Sequence, residues 1–127
     1  MKHTQSLKKN YQFRYVYRKG NSIANRQLVM YVLKNGTQEN KLGISVSKKV
    51  GKSVVRSRVT RLIKESYRLS EEEIKLGYDI IVIARTSVKD ATYQEVFASL
   101  RHLLHKHGLL PKRSEAVQEE RQEETAE

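Results

Sequence analysis

The hydrophobic positions near the start of the chain follow first a helical and then a strand period. In residues 6–18, Phe13, Val16 and Tyr17 recur at helical spacing, which predicts a short helix. Residues 22–34 are rich in apolar and β-branched side chains on both alternating faces. This pattern predicts one strand that is buried on both sides for part of its length.

The middle and end of the chain show two further strands and a last helix. The segment 35–40 (NGTQEN) is rich in turn residues and predicts a hairpin, whose second strand alternates apolar and small residues over 42–47. The nearly continuous apolar run 78–84 predicts a central strand. A capping box at Thr92 and Glu95 is typical of a helix start, and it precedes a last amphipathic helix.

The stretch 51–68 (GKSVVRSRVTRLIKESYR) combines helical periodicity with an unusual charge pattern. Six cations face a single anion, Glu65, and Arg61–Glu65 is the one opposite-charge pair at i,i+4. The predicted buried stripe consists of Val55, Val59, Leu62, Ile63, Ser66 and Leu69. A solvated helix usually alternates its charges. This cationic face is therefore expected to bind a polyanion, and the six cations are Lys52, Arg56, Arg58, Arg61, Lys64 and Arg68.

The elements in the order α-β-β-α-β-α predict an α+β fold, a single two-layer domain in which a sheet packs with helices. Residues 1–111 are assigned to this domain. Residues 112–127 have Val117 as their only sizeable apolar side chain. They are predicted to be a disordered acidic tail.

The net charge of +11 hides a strong asymmetry along the chain. Residues 114–127 hold six Glu and one Arg, whereas residues 1–113 hold 24 cations and 8 anions. A domain this basic repels itself unless a polyanion neutralises it, and nucleic acid is the first candidate. An anionic membrane surface is the second, but such proteins usually present an amphipathic helix with bulky apolar residues.

Export and membrane insertion find no support in the sequence. No run approaches the roughly 18 apolar residues of a membrane span, and the N-terminal residues 1–10 lack an apolar region. The absence of cysteine excludes disulfides and thiolate metal sites. We therefore expect a cytoplasmic protein without a membrane partner.

Catalysis by side chains also finds little support. His102 and His105 share a helical face, but His107 lies nearly opposite His105, so we interpret these histidines as surface residues and predict no metal site. The acids outside the tail show no pair suited to divalent metal. The segment 51–53 (GKS) resembles the end of a P-loop, but Val46 stands where the first Gly is required.

Aromatic side chains near cations leave two alternatives open. Phe13, Tyr17 and Tyr31 are either plain core residues or part of a groove that holds unstacked nucleotides. The cations beside them are Arg14, Arg18 and Lys48.

The basic helix and the strand before it resemble the signature of the protein subunit of bacterial ribonuclease P. The matching segments are 7–33, 42–50, 51–68, 77–85 and 92–104. The resemblance implies a four-stranded sheet, one strand more than the pattern shows, and a left-handed βαβ crossover. It also implies that the protein binds the catalytic RNA, which removes the 5′ leader of precursor tRNA. Mg2+ is implied for the holoenzyme, and no protein partner or protein-bound cofactor is expected.

The resemblance also assigns site residues by position. Arg56, Arg58, Arg61 and Lys64 match the basic motif, so with Lys52 and Arg68 they are expected to bind the RNA subunit. Phe13, Tyr17 and Tyr31 match the aromatic wall of a leader-binding cleft, with Lys48 at its edge. The motif departs from the family pattern at Ser57, where Asn is usual, and at Thr60, where Lys is usual.

Two other functions compete with this interpretation. A plain binding module, such as a ribosomal protein or RNA chaperone, explains the charge and the fold but not the aromatic cleft. A stand-alone nuclease is disfavoured because the required acids are missing.

Overall fold

Residues 2–110 fold into a five-stranded sheet with helices on both faces. The computed structural model describes residues 2–110, so the predicted tail, 112–127, lies outside the described residues. The elements are β1 (Thr4–Ser6), α1 (Asn10–Lys19), β2 (Asn21–Ala24), β3 (Leu28–Lys34), β4 (Asn40–Ser45), α2 (Ser53–Ser70), β5 (Tyr78–Ala84) and α3 (Tyr93–Lys106). Short 3-10 turns follow α2 and β5. The strand order in the sheet is β1-β4-β5-β3-β2.

The sheet has five strands, whereas the pattern predicted three and the resemblance implied four, because β1 and the division of the 22–34 strand into two were not predicted. The predicted α-β-β-α-β-α order changes accordingly. β1 precedes the first helix, which begins at Asn10 rather than at residue 6. The predicted strand 22–34 is two antiparallel strands, β2 and β3. The Asn25 Oδ1 atom accepts hydrogen bonds from the backbone N–H groups of Gln27 (3.2 Å) and Leu28 (3.0 Å). This side-chain turn reverses the chain inside an otherwise apolar run.

β5 lies at the centre of the sheet and is buried on both faces. It pairs in parallel with β4 and antiparallel with β3. Ile80 and Val82 belong to the core that α2 and α3 cover, whereas Ile81 packs with Val16 of α1 on the opposite face. Helices therefore lie on both faces, so α1 adds a third layer to the predicted two. The parallel β4–α2–β5 connection is the crossover for which a left hand is implied, and its handedness stays a prediction.

The buried side of α2 is rotated from the predicted stripe. Val59, Ile63 and Ser66 are buried as expected, but Leu69 is half-exposed and Tyr67 is fully buried. The Tyr67 hydroxyl is hydrogen-bonded to Thr4 of β1 at 2.9 Å. Tyr67 is therefore buried where it contacts a strand that the pattern did not predict.

None of the helices within residues 2–110 has the length and apolarity needed to cross a bilayer.

Glu71 fixes the N-terminal strand to the turn after α2. Its side chain is buried, and its carboxylate accepts hydrogen bonds from the backbone N–H groups of Lys2 (3.0 Å) and His3 (3.4 Å). Burial raises the pKa of Glu71, but hydrogen bonds from Thr4 and from these two amides outweigh it. The pKa therefore lies below its ordinary value.

We expect Glu71→Gln to lower the free energy of unfolding at neutral pH by roughly 1–2 kcal/mol. Because the folded-state pKa is lowered, the contribution of Glu71 is complete above the unfolded-state pKa and is lost as the pH falls through the folded-state pKa. Urea unfolding between neutral and acid pH measures both effects. The exposed neighbour Glu72 gives the control variant Glu72→Gln. If the free energy of unfolding of Glu71→Gln fell as steeply with acid pH as that of the wild type, Glu71 would not be the group responsible.

Candidate nucleic-acid interface

The edge of β4 is left open between α1 and α2. β1 pairs only with residues 40–42 of β4, so residues 43–45 have no neighbouring strand on that side within the described part of the chain. One groove opens between this edge and α1, and a second opens between it and α2. Ile44 lines both grooves. The two predicted binding regions therefore meet along one strand.

The first groove, which we call the aromatic cleft, brings together the three predicted aromatic residues. The ring centroids of Phe13 and Tyr17 are 6.3 Å apart, and those of Tyr17 and Tyr31 are 5.0 Å apart in an edge-to-face arrangement. Phe13 and Tyr17 line the cleft, and Tyr31 supports Tyr17 from β3. The lining residues are Asn10, Phe13, Arg14, Tyr17, Ile44 and Ser45.

Phe13 combines the two roles that the sequence left open. Its ring lies so close to Gly43 that a Cβ atom there would be 2.7 Å from two ring carbons, so only Gly leaves room for it. Phe13 thus packs on the sheet as well as lining the cleft. Tyr17 is more exposed, and its hydroxyl is hydrogen-bonded to Ser45. Burial raises the pKa of Tyr17.

Lys48 is exposed in the loop after β4 and does not belong to the residues that line the aromatic cleft. Its predicted place at the edge of the cleft stays a prediction.

The second groove, which we call the basic groove, collects three of the six predicted cations. Arg56, Arg61 and Lys64 project from α2 beside the edge of β4. The full lining is Ile44, Val46, Ser53, Arg56, Ser57, Thr60, Arg61 and Lys64. The Arg56 Nε atom is buried and finds no hydrogen-bond partner among residues 2–110.

The two residues that depart from the family motif lie in this groove. Ser57 and Thr60 both line it, and the Thr60 hydroxyl donates a hydrogen bond to the Arg56 backbone oxygen at 2.9 Å. Thr60 is therefore satisfied by its own helix and adds no charge. Ser53 also lines the groove and was considered only as part of the P-loop-like GKS segment, although it recurs with Ser57, Thr60 and Lys64 at helical spacing.

The other three cations do not line the basic groove, although the sequence predicted one continuous cationic face. Arg58 points to the opposite side of α2, where its guanidinium donates to the backbone oxygens of Lys89 (3.3 Å) and Ala91 (3.0 Å). Arg68 forms an ion pair with Glu65, and this hydrogen bond holds the pKa of Glu65 below its ordinary value. Arg68, rather than Arg61, is thus the partner of Glu65. Lys52 is the exposed residue preceding α2.

Acids and histidines do not form a metal site in the described part of the chain, where no group of three or more potential ligands occurs. His102 is within 3.3 Å of the Asn25 side chain, and His107 is 3.0 Å from the Met30 backbone oxygen. The histidines that look clustered in the sequence therefore contact different elements.

The fold and the two grooves define a small, strongly basic α+β domain of the nucleic-acid-binding class. A family model described as Ribonuclease P matches residues 1–108. The ribonuclease P protein component of Alkaliphilus oremlandii is 53% identical over 110 residues, covering 87% of this chain and 96% of the relative. That of Clostridioides difficile is 55% identical over 102 residues, covering 80% and 90%. The chain belongs to the ribonuclease P protein family.

Solved structures agree with this assignment. The RNase P protein of Staphylococcus aureus superposes with a TM-score of 0.78 at 42% identity, covering 84% of this chain and 97% of the other. The RNase P protein from Thermotoga maritima gives a TM-score of 0.75 at 29% identity, covering 80% and 96%. The predicted family and the α+β fold class are both confirmed.

The different surroundings of Arg58 and Arg61 predict different effects on stability. Arg58→Ala removes two hydrogen bonds between α2 and the turn before α3, so we expect a loss of roughly 1–2 kcal/mol in the free energy of unfolding. Arg61→Ala removes an exposed charge from a crowded cationic groove, so we expect no loss of stability or a small gain. Melting curves of both variants test this. Equal effects on stability would contradict the conclusion that Arg58 stabilises the fold and Arg61 does not.

Proposed function

We propose that this chain, as a ribonuclease P protein, binds the ribonuclease P RNA through the basic groove and the 5′ leader of precursor tRNA through the aromatic cleft. The observation that carries this proposal is the meeting of two chemically different grooves at Ile44. One offers aromatic rings and the other offers cations. A protein placed between two RNAs requires such neighbouring surfaces.

The aromatic cleft suits an unpaired strand better than a duplex. The Tyr17 ring packs against Tyr31 in an edge-to-face arrangement and lines the cleft, which places it to stack on a base. Stacking on an aromatic ring is worth roughly 1–3 kcal/mol per base and tolerates any sequence. A leader of variable sequence is a ligand with these properties.

The basic groove suits the phosphates of a structured RNA. Arg56, Arg61 and Lys64 converge beside β4, and the described part of the chain contributes no acid to the groove. The guanidinium fork binds phosphate oxygens in pairs, and each neutralised phosphate releases counterions. These cations therefore contribute to affinity without reading sequence. The RNA-binding roles predicted for Lys52, Arg58 and Arg68 remain part of this proposal, although Arg58 and Arg68 also have partners within the protein.

We assign hydrolysis and its Mg2+ to the RNA rather than to protein side chains. A site for two divalent metal ions needs free carboxylates close together. Within residues 2–110, Glu65 pairs with Arg68, Asp79 accepts from Asn35, and Glu71 holds β1. Another acid, Glu95, closes the cap of α3. Since no group of three or more potential metal ligands occurs within residues 2–110, we assign binding and orientation to the protein. We place it in the cytoplasm, where precursor tRNA is made.

Reconstitution separates this function from its alternatives. We expect precursor tRNA to be cleaved at low magnesium by the protein together with ribonuclease P RNA, but not by either alone. Cleavage by the protein alone would show a stand-alone nuclease. Binding of unrelated RNAs as tightly as ribonuclease P RNA, without stimulation of cleavage, would instead show a general RNA chaperone.

Tyr17→Ala tests the leader-binding role with little effect on the core. Because Tyr17 lines the cleft and is partly exposed, we expect the holoenzyme to bind precursor tRNA roughly 1–3 kcal/mol more weakly, whatever the leader sequence. Mature tRNA lacks the leader, so its affinity should not change. Equilibrium binding of both RNAs measures this difference.

The control for this test is Tyr17→Phe, which keeps the ring and loses only the bond to Ser45. We expect it to retain most of the affinity for precursor tRNA. Equal losses for precursor and mature tRNA in Tyr17→Ala would rule out the leader-binding cleft.

A further inference from the structure

The two most exposed aromatic side chains of the described residues lie outside both grooves. Tyr11 is 64% exposed and Tyr15 is 49% exposed, although aromatic rings usually bury most of their surface. They are four residues apart on α1, on the side of the helix that points away from Phe13. Neither ring adds to the core, so stability does not account for them.

These tyrosines form part of a third groove, which we call the outer groove. It runs between α1 and the opposite end of the central strands, where Lys41 of β4 is paired with Asp79 of β5. Its lining includes Tyr11, Arg14, Tyr15, Arg18, Lys41 and Asp79. Aromatic rings and cations thus alternate along it.

The charge of the outer groove favours an anionic ligand. It holds three cations and one acid, and Asp79 already accepts a hydrogen bond from Asn35 at 3.0 Å. The Arg18 guanidinium lies 5.6 Å from the centre of the Tyr15 ring, a cation–π contact that holds both side chains. Within this lining the cations separate the rings, so each ring has a charge beside it that a phosphate can neutralise. Single-stranded nucleic acid fits this arrangement.

Arg14 connects the outer groove to the aromatic cleft, because it lines both. We propose that the part of the 5′ leader farther from the tRNA leaves the cleft past Arg14 and continues across the outer groove. Its bases stack on Tyr11 and Tyr15, and its phosphates meet Arg14, Arg18 and Lys41. This inference rests on the proposed leader-binding function of the cleft.

The test compares two precursor tRNAs in the reconstituted holoenzyme, one with a short leader that ends in the cleft and one with a long leader. The double variant Tyr11→Leu/Tyr15→Leu removes both rings from an exposed surface while keeping helix-forming residues. We expect it to bind the long-leader precursor at least about fivefold more weakly, from the lower bound of base stacking. The short-leader precursor should bind as it does to the wild type.

The matched control, Tyr11→Phe/Tyr15→Phe, keeps both rings and should retain the affinity for the long leader. Circular dichroism verifies that both double variants are folded. Unchanged affinity of the Leu variant for the long leader would overturn the inference. Equal losses for both leaders would also overturn it, because the rings would then act on another part of the complex.

A second measurement separates failure of the outer groove from failure of the cleft. In the Tyr17→Ala background, the full chain is titrated with a fluorescent oligouridylate, and the Tyr11→Leu/Tyr15→Leu changes are then added. A further loss of at least about fivefold supports an independent stacking surface. No further loss overturns it, whatever Tyr17→Ala alone shows about the cleft.

Discussion

The burial of β5 on both faces is the constraint on which the rest of the structure depends. Ile80 and Val82 need cover on one side and Ile81 needs cover on the other, so helices must pack on both faces of the sheet. α1 and α2 therefore end up on opposite sides of the neighbouring strand β4. Because β1 is short, the edge of β4 beyond residue 42 stays open between them. Both candidate binding grooves follow from this one arrangement.

The basic helix shows how one element divides its charges between structure and binding. Arg56 and Arg58 are two residues apart, so they project from different sides of α2. Arg58 holds α2 to the backbone before α3, whereas Arg56 lines the basic groove with Arg61 and Lys64. Among residues 2–110 no acid lines the groove, so its charges repel one another and offer little stability. Their arrangement is explained by a polyanionic partner.

Periodicity predicted the parts of the fold that rest on local patterns. The run 78–84 is the central strand, and Thr92 and Glu95 form the predicted capping box of α3. β1 was not predicted because its three residues are polar. They form a strand only because they pair with β4 and because the carboxylate of Glu71, distant in the sequence, binds the backbone just before them. The turn at Asn25 was missed because the segment 22–34 was read as one strand, although three polar residues, Asn25, Arg26 and Gln27, interrupt its apolar run.

The residue types of the candidate site were predictable from the sequence, but the directions of their side chains were not. Helical spacing and the family resemblance identified Phe13, Tyr17 and Tyr31, which do lie together. The role of Arg58 depends on carbonyl groups more than thirty residues away, which periodicity does not reveal. The chain has no cysteine, so Ser45→Cys places a single photo-crosslinker in the aromatic cleft, next to the shared residue Ile44. In the holoenzyme, we expect crosslinks to the precursor tRNA leader; crosslinks only to the RNA subunit or to mature tRNA would contradict a leader-binding cleft.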